Sequence, residues 1–302
     1  MSARTPTTRC LPYRAPLNRE WLRWFLAAHA VPGLEEHVDG VFRRVLRLPH
    51  GPGTVAFELC DGHVCADLAR TDPRDRAAAA ASIRRLLDLD ADPLTVDAAL
   101  SRDPALAPAV AATPGIRVPG SVDGAEMLIR TMIGQQISVA AAATHTAALV
   151  AALGEPVGDL RAFPDTAVIA EHGAGVLRGP RRRVAAIVGA AEAIADGSLD
   201  LHAGRDRAGL RRDLLALPGV GPWTADYVTM RVLADPDTLL DTDLVVRSGA
   251  ELLGCDLAST QDWAPWRSYA TVHLWNTAIT ARRGIRRAPA RNPSANNERV
   301  GP

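Results

Sequence analysis

Lysine is absent from this 302-residue chain, whose basic side chains are all arginine or histidine. Any chemistry in which a side-chain amine attacks a sugar or a carbonyl is thereby excluded, leaving only the terminal amine. Cysteine is scarce, with Cys10, Cys60, Cys65 and Cys255 forming no CxxC pair and no four-cysteine cluster. That spacing indicates neither a zinc site nor an iron-sulfur cluster, and reduced thiols are the default. Cys60 and Cys65 flank a turn, where they either face one another or sit half-buried in strands, the commoner arrangement. The formal net charge is +0, so there is no basic excess to coat nucleic acid, and any such binding has to be local. No apolar run approaches the roughly 18 to 20 residues of a membrane span, and Met1 to Arg14 has no apolar stretch of signal-peptide length. Both absences predict a cytoplasmic protein without a membrane partner. Aromatic residues make up only 4%, which makes their placement informative.

What is present is apolar material, 47% of the chain, enough for two or three small cores. Asn18 is placed to cap a helix whose Trp21, Trp24, Phe25 and Ala28 share one face. Val41 to Leu48, Thr54 to Cys60 and His63 to Leu68 read as strands, the last two joined by the two-residue turn Asp61-Gly62. Arg74 to Leu89 is alanine-rich and helical, so the first hundred residues read as an α+β unit. Prolines and glycines from Pro104 to Gly120 mark a boundary. From Ser121, a plausible N-cap, helical periodicity covers Val122 to Ile133, Gln136 to Leu153, Arg181 to Ala195, Ala208 to Leu215, Pro222 to Leu233, Asp243 to Leu253 and Pro265 to Ala281, essentially without strand signals. Arg282, Arg283, Arg286, Arg287 and Arg291 form a basic cluster, a pattern more often a solvated end than a binding site. The last residues, from Ala288, have the composition of a disordered tail.

Two features carry chemistry. Leu217-Pro218-Gly219-Val220-Gly221 places a Pro-Gly-x-Gly turn between two helices, where the backbone can approach another surface and its amides can bind a phosphate. On its own this pattern is more often a plain helix-helix turn. Downstream, Asp243 stands where a helix begins, either as a simple cap or as a functional carboxylate whose anionic form the helix dipole favours.

Taken together, the hairpin, the Pro-bearing loop Ala234-Asp235-Pro236-Asp237 and Asp243 with Arg247 resemble the helix-hairpin-helix glycosylase superfamily. Within it they resemble DNA-3-methyladenine glycosylase II, the AlkA type. Ile116 to Asp123, Ile133 to Ala140, Pro265 to Ala270 and His273-Leu274-Trp275 are similar to that family's segments in the same order, so the likeness runs from about Leu11 to Arg287. It implies a mainly α fold with an N-terminal α+β domain: an antiparallel sheet plus helices, then two helical domains with a cleft between them. The implied layout is a flexible start at 1–10, the α+β domain at 11–98, a helical domain from 99–122 and 236–287 that carries the aspartate, a helix-hairpin-helix domain at 123–235, and a tail at 288–302.

The resemblance also implies an activity: excision of alkylated bases of the 3-methyladenine and 7-methylguanine type from double-stranded DNA, by a monomer working at the nucleoid. No cofactor is expected, apart from a structural sodium or potassium ion on hairpin carbonyls. Breaking an N-glycosidic bond builds positive charge on the sugar, and Asp243 is the carboxylate expected to stabilise it and orient water. Asp241, in Leu240-Asp241-Thr242, is the competitor for that role. Trp223 occupies the position where bifunctional relatives carry their lysine, so no lyase step is expected. Trp223, Tyr227, Trp275 and Phe25 are the expected base pocket, in which π faces attract a cationic lesion. Trp21, Trp24, Trp263 and Trp266 are read as packing residues. Gln136, with Gln135 beside it, takes the place of the wedge that fills the gap left by a flipped base, where the AlkA type has leucine. His29 stands where an arginine is expected near the pocket. Three other readings stay open: a glycosylase for oxidised or deaminated bases, a non-catalytic damage-binding module, and descent from a longer fusion with a methyl-accepting domain.

Overall fold

Alternating apolar residues build the sheet. The computed structural model describes residues 7–287, and its five strands are β1 (Thr8–Pro12), β2 (Glu35–Val38), β3 (Val41–Leu46), β4 (Gly53–Leu59) and β5 (His63–Arg70). They lie in the order β1-β5-β4-β3-β2, antiparallel throughout. Phe42, Phe57 and Ala66 come side by side across β3, β4 and β5 and are all buried, which sets the register of the inner face. Helix α1 (Arg19–His29) packs there. Its N-cap is Asn18, whose side chain accepts the Trp21 amide, and it buries Trp21, Leu22, Phe25 and Leu26.

The outer strands β1 and β2 extend the three-stranded expectation. Because β1 begins at Thr8, the flexible start expected at 1–10 is corrected for residues 8–10; residues 1–6 and the tail 288–302 lie outside the described residues. Helices α2 (Arg76–Leu86), α3 (Pro93–Leu100) and α4 (Ala107–Ala112) lead to the helical part. This comprises α5 (Gly124–Gly134), α6 (Val139–Leu153), α7 (Thr166–Val176), α8 (Arg181–Ala195), α9 (Arg207–Leu215), α10 (Pro222–Leu233), α11 (Leu244–Leu253) and α12 (Arg267–Arg287). The N-cap of α5 is Asp123 rather than Ser121, because the Asp123 carboxylate accepts the Glu126 amide at 2.7 Å. Helix α7 adds to the helices expected from periodicity, and a two-residue ribbon, β6 (Pro156–Val157) with β7 (Leu160–Arg161), corrects the expectation of a region essentially without strands.

Buried side chains form two clusters. One joins the sheet and α1 to α4 with α11 and α12, through residues such as Ile116, Val246, Trp263 and Leu274. The other is the interior of α5 to α10, into which the N-terminal part inserts Val31, Leu34 and Val45.

Across this second contact runs a buried ion network. Arg44 on β3 donates to Glu35 on β2 at 2.6 Å and to Glu126 on α5 at 2.8 Å. Arg130, one turn after Glu126, donates to it at 2.7 Å and to the His29 carbonyl at 2.7 Å. Burial alone would raise the Glu126 carboxyl, but the guanidinium groups of Arg44 and Arg130 hold it below its ordinary value. Two acids and two bases balance, so no charge in the network is left uncompensated.

Removing one partner would leave one buried charge of the network uncompensated, at a cost of about 3–5 kcal/mol. Arg44→Met should therefore destabilise the protein by about that much in denaturant unfolding. Arg43→Met, which removes an exposed ion pair to Asp159 on the opposite face of the same strand, should cost at most about 1 kcal/mol.

Candidate active site

The hairpin sits between α9 and α10. Gly219 has φ +80°, and a Cβ there would lie 2.9 Å from the Ala186 Cβ, so both backbone and space demand glycine. Val220 N–H closes the turn on the Leu217 carbonyl at 3.2 Å. Gly221 caps α10, with Pro222 as its first residue. The N–H groups of Gly219 and Gly221 find no acceptor among the described residues, and both glycines are exposed. The turn thus presents outward amides at a helix start, an anion-binding geometry. The Leu215 and Val220 carbonyls accept no hydrogen bond among the described residues, so the turn also has oxygens suited to a hard cation.

Gln135 and Gln136 separate at the turn between α5 and α6. Gln135 Nε2 donates to the Gly219 carbonyl at 2.9 Å and to Thr224 Oγ1 at 3.0 Å, so it braces the hairpin and is not free to act as a wedge. Gln136 is exposed and holds a left-handed φ of +62°, which projects a long polar side chain from the surface.

From the hairpin, α10 leads one face into a cavity of about 380 Å³ lined by Trp223, Tyr227 and Arg231. Trp223 and Tyr227 are stacked, with centroids 5.2 Å apart and planes 6° apart, and Trp275 of α12 meets Tyr227 edge-on at 6.2 Å. Asp243 completes this wall as the N-cap of α11. Its Oδ1 accepts the amides of Val245 (2.8 Å) and Val246 (3.0 Å) and the Trp275 indole N–H (3.2 Å). Its Oδ2 accepts only the Trp223 indole N–H at 2.9 Å. One oxygen is an anchor saturated by three donors, and the other keeps a lone pair for chemistry in the cavity. Asp241 is exposed and outside the cavity, and its carbonyl accepts from Arg247 Nε.

Phe25 lines the cavity, but its ring is already engaged. His29 stacks on it at 4.1 Å, and the Arg231 guanidinium lies 5.1 Å from its centroid. Trp21 and Trp24, read from sequence as packing residues, also line the cavity, whereas Trp263 and Trp266 do not. Arg231 is the residue that sequence reasoning missed. Buried, it donates to Tyr227 Oη at 2.5 Å and to the Gly120 carbonyl at 3.0 Å, and it lies 5.4 Å from the Tyr227 centroid. The signal was available in its spacing, since Trp223, Tyr227 and Arg231 follow one another at i, i+4 and i+8.

Comparison with known proteins follows the same outline. Residues 8–123 match the family model of the AlkA N-terminal domain. A probable bifunctional transcriptional activator/DNA repair enzyme AlkA of Mycobacterium tuberculosis is 46% identical over 287 residues, covering 91% of this chain and 58% of the relative's length. DNA-3-methyladenine glycosylase 2 of Escherichia coli is 31% identical over 279 residues, covering 88% of this chain and 96% of that protein. The chain belongs to the AlkA family of DNA-3-methyladenine glycosylases. A 3-methyladenine DNA-glycosylase structure from Archaeoglobus fulgidus superposes with a TM-score of 0.76 at 20% identity, covering 90% of this chain and 98% of that one, which establishes the shared fold. For this AlkA-family chain the departure at position 29 has a structural counterpart: His29 is a neutral stacking partner, and the cations that line the cavity are the buried Arg44 and Arg231 and the half-buried Arg130.

Burial lowers His29 to about 4, and it likewise lowers His273, enclosed within α12, to about 4. Unfolded chain binds these protons near the ordinary value of about 6.5, so the neutral folded forms are at no disadvantage above that pH. Stability should therefore fall as pH drops from 6.5 towards 4. Denaturant unfolding at pH 7 and pH 5 checks this, and His29→Asn should flatten the dependence.

Proposed function

We propose that the chain is a monofunctional DNA glycosylase of base-excision repair. It flips alkylated bases of the 3-methyladenine and 7-methylguanine type out of double-stranded DNA and hydrolyses the N-glycosidic bond, leaving an abasic site. The observation that carries this reading is the Asp243 carboxylate, held by two indole N–H groups on the wall of an aromatic cavity beside an exposed hairpin. The enzyme works as a monomer at the nucleoid of the cytoplasm and needs no organic cofactor.

In this mechanism the hairpin grips the phosphate backbone through the Gly219 and Gly221 amides, a neutral route that suits a chain of zero net charge. The Leu215 and Val220 carbonyls would hold a sodium or potassium ion, which would supply positive charge near the same phosphate. Gln136 enters the duplex and fills the space of the flipped nucleotide. Because Phe25 and Tyr227 already serve Arg231, the lesion's π partners are the indoles of Trp223 and Trp275. Alkylation makes the purine cationic, which draws it to an aromatic face by roughly 0.5–2 kcal/mol and weakens its bond to the sugar. As the bond breaks, the lone pair of Asp243 Oδ2 faces the positive charge growing at C1′ and accepts a proton from the attacking water. The fixed position of Oδ1 keeps that oxygen aligned without reorganisation.

Asp243→Asn should lower excision from methylated duplex by about 10²–10⁴-fold, while Asp241→Asn stays within about threefold of wild type. Excision assays that show the reverse order, or no base release by the wild type, sink the assignment. With Trp223 at the lysine position and no lysine in the chain, borohydride treatment during turnover should trap no covalent protein–DNA complex. A robust trapped band in denaturing gels would assign a lyase step to the terminal amine.

A further inference from the structure

Far along the chain from Asp243, the β4–β5 turn gathers sulfur and nitrogen donors that the glycosylase reading does not use. Cys60 and Cys65 bring their Sγ atoms to 3.2 Å, and His63 Nε2 lies 3.2 Å from Cys65 Sγ. All three side chains are half-buried, and their donor atoms fall within 4.8 Å of one another. In sequence the residues run Cys-x-x-His-x-Cys, which is no standard ligand spacing. The register creates the cluster. Cys60 pairs with His63 across the two-residue turn, and Cys65 follows His63 at a distance of two on the same face of β5.

The turn is also braced in a way that disposes the donors inward. His63 Nδ1 lies 2.9 Å from the Asp61 carbonyl, so it carries the proton and leaves the Nε2 lone pair directed at the thiols. Tyr13 Oη donates to the Cys60 carbonyl at 2.8 Å and accepts the Gly62 amide at 2.9 Å, clamping both sides of the turn. Cys10 stands opposite Cys65 in the β1–β5 register, on the same face, and adds a third thiol beside the cluster.

We propose that Cys60, His63 and Cys65 bind a thiophilic divalent cation, zinc above all, at the tip of the β4–β5 hairpin. Zinc bonds of about 2.3 Å to sulfur and 2.0 Å to nitrogen place tetrahedral ligands roughly 3.5–3.8 Å apart, so the two contacts that Cys65 makes at 3.2 Å open by only about half an ångström. Binding displaces the two thiol protons to solvent, and the metal bonds to two thiolates and one neutral imidazole. A disulfide between Cys60 and Cys65 would use neither the imidazole nor its fixed tautomer.

The full chain, reduced, stripped with a chelator and titrated anaerobically with cobalt(II), tests the site. One equivalent should produce a thiolate-to-cobalt charge-transfer band that zinc then abolishes. Cys65→Ser and His63→Ala should each weaken binding by about tenfold or more, whereas Cys255→Ser, on a remote loop, should leave it unchanged. Zinc should also raise the Tm of the wild type and not that of His63→Ala, which separates a lost site from a misfolded variant. Absence of the band at one equivalent overturns the proposal, as do equal affinities for wild type and His63→Ala, or a Cys60–Cys65 disulfide that forms in preference to the zinc complex.

Discussion

The candidate site depends on how one carboxylate is held. Asp243 receives hydrogen bonds from α10 through Trp223, from α12 through Trp275 and from the first turn of its own helix α11. Three helices thus converge on two oxygen atoms. This convergence fixes the spacing between the hairpin that begins α10 and the carboxylate that begins α11, and it sets the two indoles at the mouth of the cavity. The hydrogen bonds are charge-assisted and partly screened from water, the regime in which such contacts are strongest. Packing in the core supports the helices, but it is the carboxylate that places the aromatic rings relative to one another.

Much of this was legible in the sequence because its signals are local. Helical periodicity gave α8 and α10 to the residue, and the glycines of the hairpin and the cap at Asp243 were readable from their types and order. What escaped depends on distant partners. Strand β1 buries only Leu11, and β2 directs a glutamate inward, so neither shows apolar alternation. Glu35 is tolerable there only because Arg44 lies on the neighbouring strand and Arg130 on a helix 95 residues away in sequence. Helix α7 contains Gly173 and Gly175, which weaken its helical signature, although at Gly173 a Cβ would press to 3.1 Å from the Ile169 side chain. The donor cluster at Cys60, His63 and Cys65 escaped for the opposite reason. Its members are close in sequence but meet only through strand register.

The cavity divides its aromatic residues into two groups with different duties. Phe25 and Tyr227 hold the buried guanidinium of Arg231, while Trp223 and Trp275 hold the carboxylate of Asp243. Opposite charges are thus kept apart within one small space by rings that attract a cation through their faces and an anion through their N–H edges. A residue count alone, with so few aromatics in the chain, would not have revealed this economy of placement.

The network of Glu35, Arg44, Glu126 and Arg130 has a consequence for how such a chain can be taken apart. The sheet contributes one acid and one base to the interior of the helical half, and the helical half returns one of each. Separating the two at the boundary near residue 123 would strip both fragments of neutralising partners and open the wall of the cavity. The N-terminal region is therefore not a removable module attached to a catalytic one. Shuffling it between relatives would succeed only if all four charged positions travelled together, and change at any one of them would need to be matched across the seam.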